Sequence, residues 1–471
     1  MKPDNHGTID RRTFIKTAAG AAAGLGLLGR NAHAADRKPS IIYILLDDAG
    51  YGDLGCYGQR KFETPGIDAM AAEGVRFTSH YSGSTVCAPS RCCLLTGLHT
   101  GHAYIRGNRS AHPEGQEPIP AGAVTVAELL RSAGYATGAF GKWGLGPAGS
   151  SGDPLRQGFD EFYGYICQSN AHNYYPDHLW DNGNKIELDG DTYSHNLIMR
   201  RAFDFIRKNS GRPFFCYLPV TIPHASMHVP DRWSRPFRKK FRQFESMMGV
   251  YAGPMITNPP AQFAGMMTLL DRQVADLIDL LGELGIDDNT LVILTSDNGP
   301  HQEGGHNPAF FDSNGPLRGI KRDLYEGGVR VPMIARWPGK ISPGAVSDHV
   351  SAFWDVLPTL CEIAGAKTPR DTDGISFAPT LLGNPEKQRA HDYLYWEFPS
   401  VGGKQAARMG NWKGLRLNLF ENQDAPVELY NLEHDIGEQN NVAPENPEVV
   451  EKMKQIFKTA RTESELFKLF G

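Results

Sequence analysis

At 471 residues the chain is long enough for one large α/β domain with a smaller appendage, or for two or three ordinary domains. Its 48 basic and 53 acidic residues are interspersed and leave a net charge of −5, which argues against a nucleic-acid groove or a polybasic membrane surface. Hydrophobic residues at 40 %, with 52 glycines and 32 prolines, describe a globular chain rich in turns rather than a fibre or a disordered tail.

The first residues read as an address. Asp10-Arg11-Arg12-Thr13-Phe14-Ile15-Lys16 precedes a small-residue apolar stretch from Thr17 to Leu28, then Ala32-His33-Ala34. The pattern resembles a twin-arginine signal peptide over residues 1–34, cleaved after Ala34. The apolar stretch is shorter than the ~20 residues of a spanning helix, so the expectation is a periplasmic or secreted protein with no stable membrane insertion.

Ser40 to Leu46 is a nearly continuous apolar run ending in Asp47-Asp48, which predicts a buried parallel strand delivering two carboxylates at its C-terminal end. Thr64 is expected to cap a helix with Pro65 at its first position and Gly74 after it, and Thr125 with Glu128 makes a capping box for another, closed by Gly134. Pro213 to Val220 is a second strand, leading into Pro223-His224. From about Ala261 to Leu284 a stripe of Phe263, Met266, Met267, Leu270, Val274, Leu277 and Leu281 predicts a long helix, its methionines serving as core. Leu291 to Leu294, followed by Asp297-Asn298-Gly299, repeats the grammar of the first strand.

Alternating strands and helices imply an α/β fold with a mainly parallel sheet covered on both faces. Ligands in such folds bind beyond the carboxyl ends of the strands, so the two acidic clusters are expected to meet. Prolines 369, 379 and 385 mark a connection near residues 367–389. Beyond it, Tyr393 to Trp396 and Trp412 to Leu415 suggest antiparallel strands, and Val449 to Phe457 a closing helix. The domain division expected is 1–34 signal, 35–380 catalytic and 381–471 a small C-terminal α+β subdomain.

The seven cysteines, at 56, 87, 92, 93, 167, 216 and 361, form no even disulfide framework, and no C-x-x-C pair occurs. One of them stands in unusual company: Ser84-Thr85-Val86-Cys87-Ala88-Pro89-Ser90-Arg91-Cys92-Cys93-Leu94-Leu95-Thr96-Gly97 closely resembles the type I sulfatase signature C-x-P-S-R. In that family a maturing enzyme converts the cysteine before folding to formylglycine, an aldehyde that hydrates to a geminal diol. The resemblance places this change on Cys87 and an active-site role on Arg91, and it implies an alkaline-phosphatase-like fold. Cys87 is expected just ahead of a short helix whose free N–H groups favour an anion.

The metal site has its own argument. Asp47 and Asp48 at one strand end, with Asp297 and Asn298 at another, are hard oxygen donors, and calcium, then magnesium, suits them better than zinc. The resemblance names the same four positions and adds the formylglycine oxygen of residue 87.

Gly141-Lys142-Trp143-Gly144-Leu145-Gly146 resembles the second sulfatase signature, in which the lysine binds sulfate; Lys142 inherits that role. The chain departs from the family at Gly144, where a histidine ordinarily deprotonates the diol to release sulfate. His99, His102, His172, His301 and His306 are the substitutes available, and His172 follows soonest in sequence. His224 in Ile222-Pro223-His224, and Lys321 ahead of Tyr325-Glu326-Gly327-Gly328-Val329-Arg330, complete the resemblance.

The implied activity is hydrolysis of sulfate monoesters by a diol oxygen, with Asp297 taking its proton and His224 or Lys321 protonating the leaving group. The nearest alternatives are a phosphatase or phosphonate hydrolase of the same superfold, and an unmatured protein that only binds sulfated glycans. The expected substrate is a sulfated small molecule or glycan, with Tyr174, Tyr175 and Trp180 as an aromatic sugar platform.

Overall fold

Ser40–Leu46 forms strand β1, and all seven of its residues are buried. Ile41, Tyr43 and Leu45 join one apolar cluster, while Ile42, Ile44 and Leu46 join another. A strand covered on both faces has no polar face to alternate with, which explains its unbroken apolar sequence. The computed structural model describes residues 37–470, and the predicted signal peptide lies outside them.

The remaining strands before the C-terminal region are β2 (Val75–Tyr81), β3 (Ala136–Lys142), β4 (Glu161–Tyr165), β5 (His178–Asp181), β6 (Asn184–Glu187), β7 (Phe214–Pro219), a short ribbon of β8 (Met248–Gly249) and β9 (Ile256–Thr257), then β10 (Thr290–Ser296), β11 (Arg330–Arg336), β12 (Ala345–Ser347) and β13 (Ser351–Ala352). All but the ribbon form one sheet in the order β12-β2-β11-β10-β1-β7-β3-β4-β5-β6, with β13 also on β2. Its centre, β10-β1-β7-β3-β4, is parallel. Antiparallel pairs β10–β11 and β4–β5 flank that centre.

Helices Pro65–Ala72, Ser194–Asn209 and Pro259–Glu283 cover one face through the second cluster; Cys87–Thr96, Val126–Ser132 and Val356–Ala364 cover the other through the first. The long helix starts at Pro259, two residues before the expected Ala261, and Met266 and Met267 are core residues. Thr125 and Glu128 form the expected capping box. Thr64 does not cap its helix: its hydroxyl accepts from Gly55 N (2.8 Å) and meets Asp68 (3.1 Å), so the side chain ties the preceding turn down instead.

In the C-terminal region β14 (Leu394–Phe398), β15 (Lys404–Met409), β16 (Trp412–Arg416) and β17 (Glu428–Asn431) form an antiparallel sheet in sequence order. One face, with Leu394, Trp396 and Leu415, belongs to the first core cluster; Tyr395, Ala407 and Leu429 pack with Met453, Ile456 and Phe457 of helix Pro447–Thr459. The sheet also reaches the lysine loop, where Lys404 Nζ donates to Arg322 O (2.7 Å) and Lys413 Nζ to Glu326 Oε1 (2.7 Å). All seven cysteines are free, and no helix among the described residues is long and apolar enough to cross a membrane.

Candidate active site

The register of β1 on β10 pairs Leu46 with Ser296, and Asp297 N donates to Leu46 O (3.0 Å). Two distant acidic pairs thereby leave neighbouring strand ends side by side. Asp48 N donates to Asp297 Oδ1 (3.1 Å), and Asn298 Nδ2 to Asp48 Oδ1 (2.7 Å). Asp48 holds a φ of 68°, a left-handed conformation that a non-glycine residue keeps only where its surroundings enforce it.

Cys87 is the first residue of helix Cys87–Thr96 rather than the residue ahead of it, and every residue of that helix is buried. The cap residue, Val86, has no side-chain acceptor to offer, and Asn108 Oδ1 takes the free N–H of Ala88 (3.1 Å). Cys87 Sγ marks where the oxygens of a formylglycine would project. It lies 3.4 Å from Asp47 Oδ1 and 3.5 Å from Lys142 Nζ. Burial pushes the thiol well above its ordinary range, so unmodified Cys87 is a protonated, unreactive group.

Lys142 ends β3 and donates to Asp47 Oδ2 (2.7 Å). Arg91, one helical turn after Cys87, donates from Nε (3.0 Å) and Nη2 (2.7 Å) to Asp297 Oδ2, and from Nη1 to Lys142 O (2.7 Å). Burial opposes charge on both Lys142 and Asp47, but their contact wins: Lys142 is raised and Asp47 is held well below the carboxylate range. Burial, then crowding by Asp47, pushes Asp297 up to about 7 in spite of Arg91.

Lys321 is strapped in place by its own N–H on Pro300 O (2.9 Å) and the next N–H on Thr85 O (3.1 Å). Its Nζ donates to Asp48 Oδ2 (2.7 Å) and lies 3.0 Å from His224 Nε2. His224 Nδ1 contacts Ala225 O, an atom that only accepts, so Nδ1 carries the proton and Nε2 offers Lys321 a lone pair. Burial, then Lys321, holds this imidazole neutral.

The donor set fits a hard divalent cation. Asp47, Asp48, Asp297 and Asn298 are completely buried, and Asn298 Oδ1 has no hydrogen-bond partner, a cost that a coordinated ion removes. A dication also relieves the carboxylate crowding that raises Asp297.

The histidines separate clearly. His102 Nδ1 lies 2.9 Å from Asp373 Oδ1, and His99 Nδ1 accepts from Gly101 N (3.1 Å). His301 Nε2 sits 3.2 Å from Pro223 O, and His306 is sealed against Phe263 at 4.0 Å between ring centroids. Two of the five stack on His224: His172 is the closer and flatter, with centroids 4.3 Å apart and planes 3° from parallel, and His301 lies on it at 5.7 Å and 22°. At Gly144, with φ 78°, a Cβ would fall 2.6 Å from both Cγ and Nε2 of Gln168. Gln168 thus occupies the volume a side chain at 144 would need, and its Nε2 is buried without a partner.

The aromatic platform expected from Tyr174, Tyr175 and Trp180 is not built. Tyr174 is fully buried, and its hydroxyl braces the turn that carries His224 by donating to Thr221 O (2.5 Å) and His224 O (2.9 Å). Tyr175 packs against Tyr193, and Trp180 Nε1 donates to Glu114 (3.0 Å). The aromatic residue beside the two stacked imidazoles is instead Tyr251, on the β8–β9 ribbon, 5.0 Å from His172 and 5.8 Å from His224. No sequence signal marked it, because two-residue strands carry no periodicity.

Comparison with known proteins identifies the family. The sulfatase family profile matches residues 39–366, and the profile of the N-sulphoglucosamine sulphohydrolase C-terminal region matches 319–463. Arylsulfatase A of Homo sapiens is 34 % identical over 462 residues, covering 89 % of this chain and 87 % of that protein. N-acetylgalactosamine-6-O-sulfatase of Bacteroides thetaiotaomicron is 29 % identical, covering 90 % of this chain and 94 % of its own length. The crystal structure of Ps i-CgsB superposes with a TM-score of 0.77 at 29 % identity, covering 90 % of this chain and 93 % of that one. The fold is alkaline-phosphatase-like, the class to which solved sulfatases belong. The chain belongs to the sulfatase family and is a sulfuric ester hydrolase.

Proposed function

We propose that this protein releases inorganic sulfate from sulfate monoesters of saccharides, with residue 87 as formylglycine and one divalent cation, calcium ahead of magnesium. The observation that carries the reading is the meeting of Cys87, Asp47, Lys142, Arg91 and Asp297 in a single buried cluster. Two relatives support a saccharide substrate: one is an N-acetylgalactosamine-6-O-sulfatase, and the other, Ps i-CgsB, is also solved in complex with k-i-k-neocarrahexaose.

Asp47, Asp48, Asp297 and Asn298 would hold the cation together with residue 87; ion and formylglycine, when present, supply an acidified hydroxyl able to attack sulfur and a second one that permits release. Lys142 and Lys321 neutralise the sulfate oxygens. Arg91 fixes Asp297, which accepts the proton given up at residue 87. Lys321 carries the proton destined for the departing alcohol, and the His224 Nε2 lone pair aims its ammonium. His172, held neutral by burial and then by His224, takes the last proton, the task that Gly144 leaves unfilled.

The same reading assigns residues 1–34 to twin-arginine export to the periplasm or medium, 35–380 to the catalytic part and 381–471 to the C-terminal subdomain. Cys87, 1 % exposed, supports maturation by a dedicated enzyme before folding, since a folded chain offers that enzyme no access. The deciding experiment compares turnover of an aryl sulfate with the matching aryl phosphate, with and without chelator, on protein whose residue 87 has been checked by peptide mass. Sulfate release that requires both aldehyde and metal supports the proposal; phosphate preference, or no turnover with the aldehyde present, overturns it.

A further inference from the structure

Cys87, Lys321 and His224 are buried, and exposure rises only beyond them. Cys87 is 1 % exposed, Lys321 is 5 % and His224 is 1 %; His172 stacked on His224 is half-buried, and Tyr251 beside both rings is 42 % exposed. The Tyr251 ring lies 5.0 Å from His172 and 5.8 Å from His224, so it borders the site where Lys321 meets His224. Its plane is turned 60° from His172 and 59° from His224. It is therefore not consumed by stacking on the histidines, and part of its surface remains open to a ligand.

The segment bearing it is held firmly. Met248 pairs with Thr257 and Gly249 with Ile256. Ala252 N donates to Ser226 Oγ (2.6 Å), Ser226 Oγ donates back to Ala252 O, and His228 Nε2 meets Pro254 O (2.8 Å). Ser226 N in turn donates to His172 O (3.2 Å), which fixes the ribbon and His172 as one piece. Val250 and Met255, 66 % and 61 % exposed, add apolar surface to the same tip. Exposed apolar side chains on a rigid ribbon at the mouth of a charged site form a binding surface whose ordering cost is already met on folding.

We propose that Tyr251 is the platform on which the pyranose ring bearing the sulfate ester rests, the apolar C–H face of the sugar against the aromatic face. This assignment rests on the sulfatase reading above and names the element that recognises the saccharide. A pyranose has an apolar face and a polar edge, and a tyrosine matches both, with its ring for the face and its hydroxyl for the edge.

The test is steady-state kinetics on matured, calcium-loaded enzyme with N-acetylgalactosamine 6-sulfate as probe. Tyr251→Ala raises KM roughly five- to tenfold, the size of one aromatic contact, and leaves kcat within about threefold. Tyr251→Phe keeps the ring and stays within about twofold of wild type. An unchanged KM in Tyr251→Ala, or Tyr251→Phe as impaired as Tyr251→Ala, overturns the assignment. Should Tyr251→Ala lower the melting temperature, Tyr251→Leu keeps the apolar packing without the flat face and is judged by the same criteria. If wild type releases sulfate from no ester, the sulfatase reading falls. Calorimetric binding of the same sugar then decides the platform: weakening in Tyr251→Ala supports it, and absence of binding to wild type overturns it.

Discussion

The rings of His172 and His224 lie face to face, 4.3 Å apart and 3° from parallel, although 52 residues separate them. His224 has both nitrogens committed, to Ala225 O and to Lys321, whereas His172 is the outer, half-buried partner. Two neutral rings at this distance allow one to act while the other holds position.

The first prediction concerns that division of labour. His172→Ala leaves the first half-reaction working and slows the second by roughly 100-fold, the range of a lost general base. Rapid mixing with an aryl sulfate then shows a burst of the released phenol followed by a slow steady state. His224→Ala removes the burst itself. A His172→Ala enzyme with wild-type steady-state rate would remove His172 from the mechanism.

A histidine restored at Gly144 does not rescue this loss. The left-handed backbone there costs a residue with a Cβ about 1–2 kcal/mol, and Gln168 fills the adjoining volume. In a His172→Ala background, Gly144→His lowers the melting temperature and adds no activity. Shortening Gln168 to Ala in the same chain relieves the overpacking, read as partial recovery of thermal stability.

Metal removal has a thermal signature separate from activity. A calcium ion held by the proposed donor set would bind the folded chain and not the dispersed one, and at 100 times its dissociation constant would stabilise it by about 2.7 kcal/mol. Chelator therefore lowers the melting temperature of the wild type. Asp47→Asn and Asn298→Ala shrink the shift, whereas a substitution at the exposed Asp189 leaves it intact.

A pH effect is expected from the other buried charge cluster. Burial, with Glu326 adding to it against Lys413, pushes Glu438 up to about 8 from its ordinary 4.5. The folded chain thus keeps a proton that the unfolded chain releases, and stability falls as pH rises from 4.5 toward 8, then levels off. Glu438→Gln, which cannot ionise, flattens the decline in calcium-loaded protein by roughly 1–3 kcal/mol between pH 6 and 8.5. Unfolding in urea at the two pH values measures it.

Much of this was legible because each signal had one physical meaning. An apolar run that ends in Asp47-Asp48, and another that ends in Asp297-Asn298, describe strands buried on both faces, and parallel pairing then puts the carboxylates together. The capping box of Thr125 and Glu128 was readable because both members are local. Thr64 misled because its hydroxyl found Gly55, a partner outside its own helix. Tyr174 looked like a surface aromatic, yet its buried hydroxyl had two carbonyls waiting in a turn 47 to 50 residues on. Tyr251 was silent in sequence, since only the fold brings its ribbon to the site.

Lys404 of the C-terminal sheet grips Arg322 O, the carbonyl next to Lys321, while Lys413 of the same sheet neutralises Glu326 within the lysine loop. The sheet's inner face is continuous with the main core. Heat consequently has no seam along which to separate recognition of sulfate from the tail of the chain. Loss of β14–β17 removes two tethers from the loop that carries Lys321, so a protease cut there lowers activity and thermal stability together.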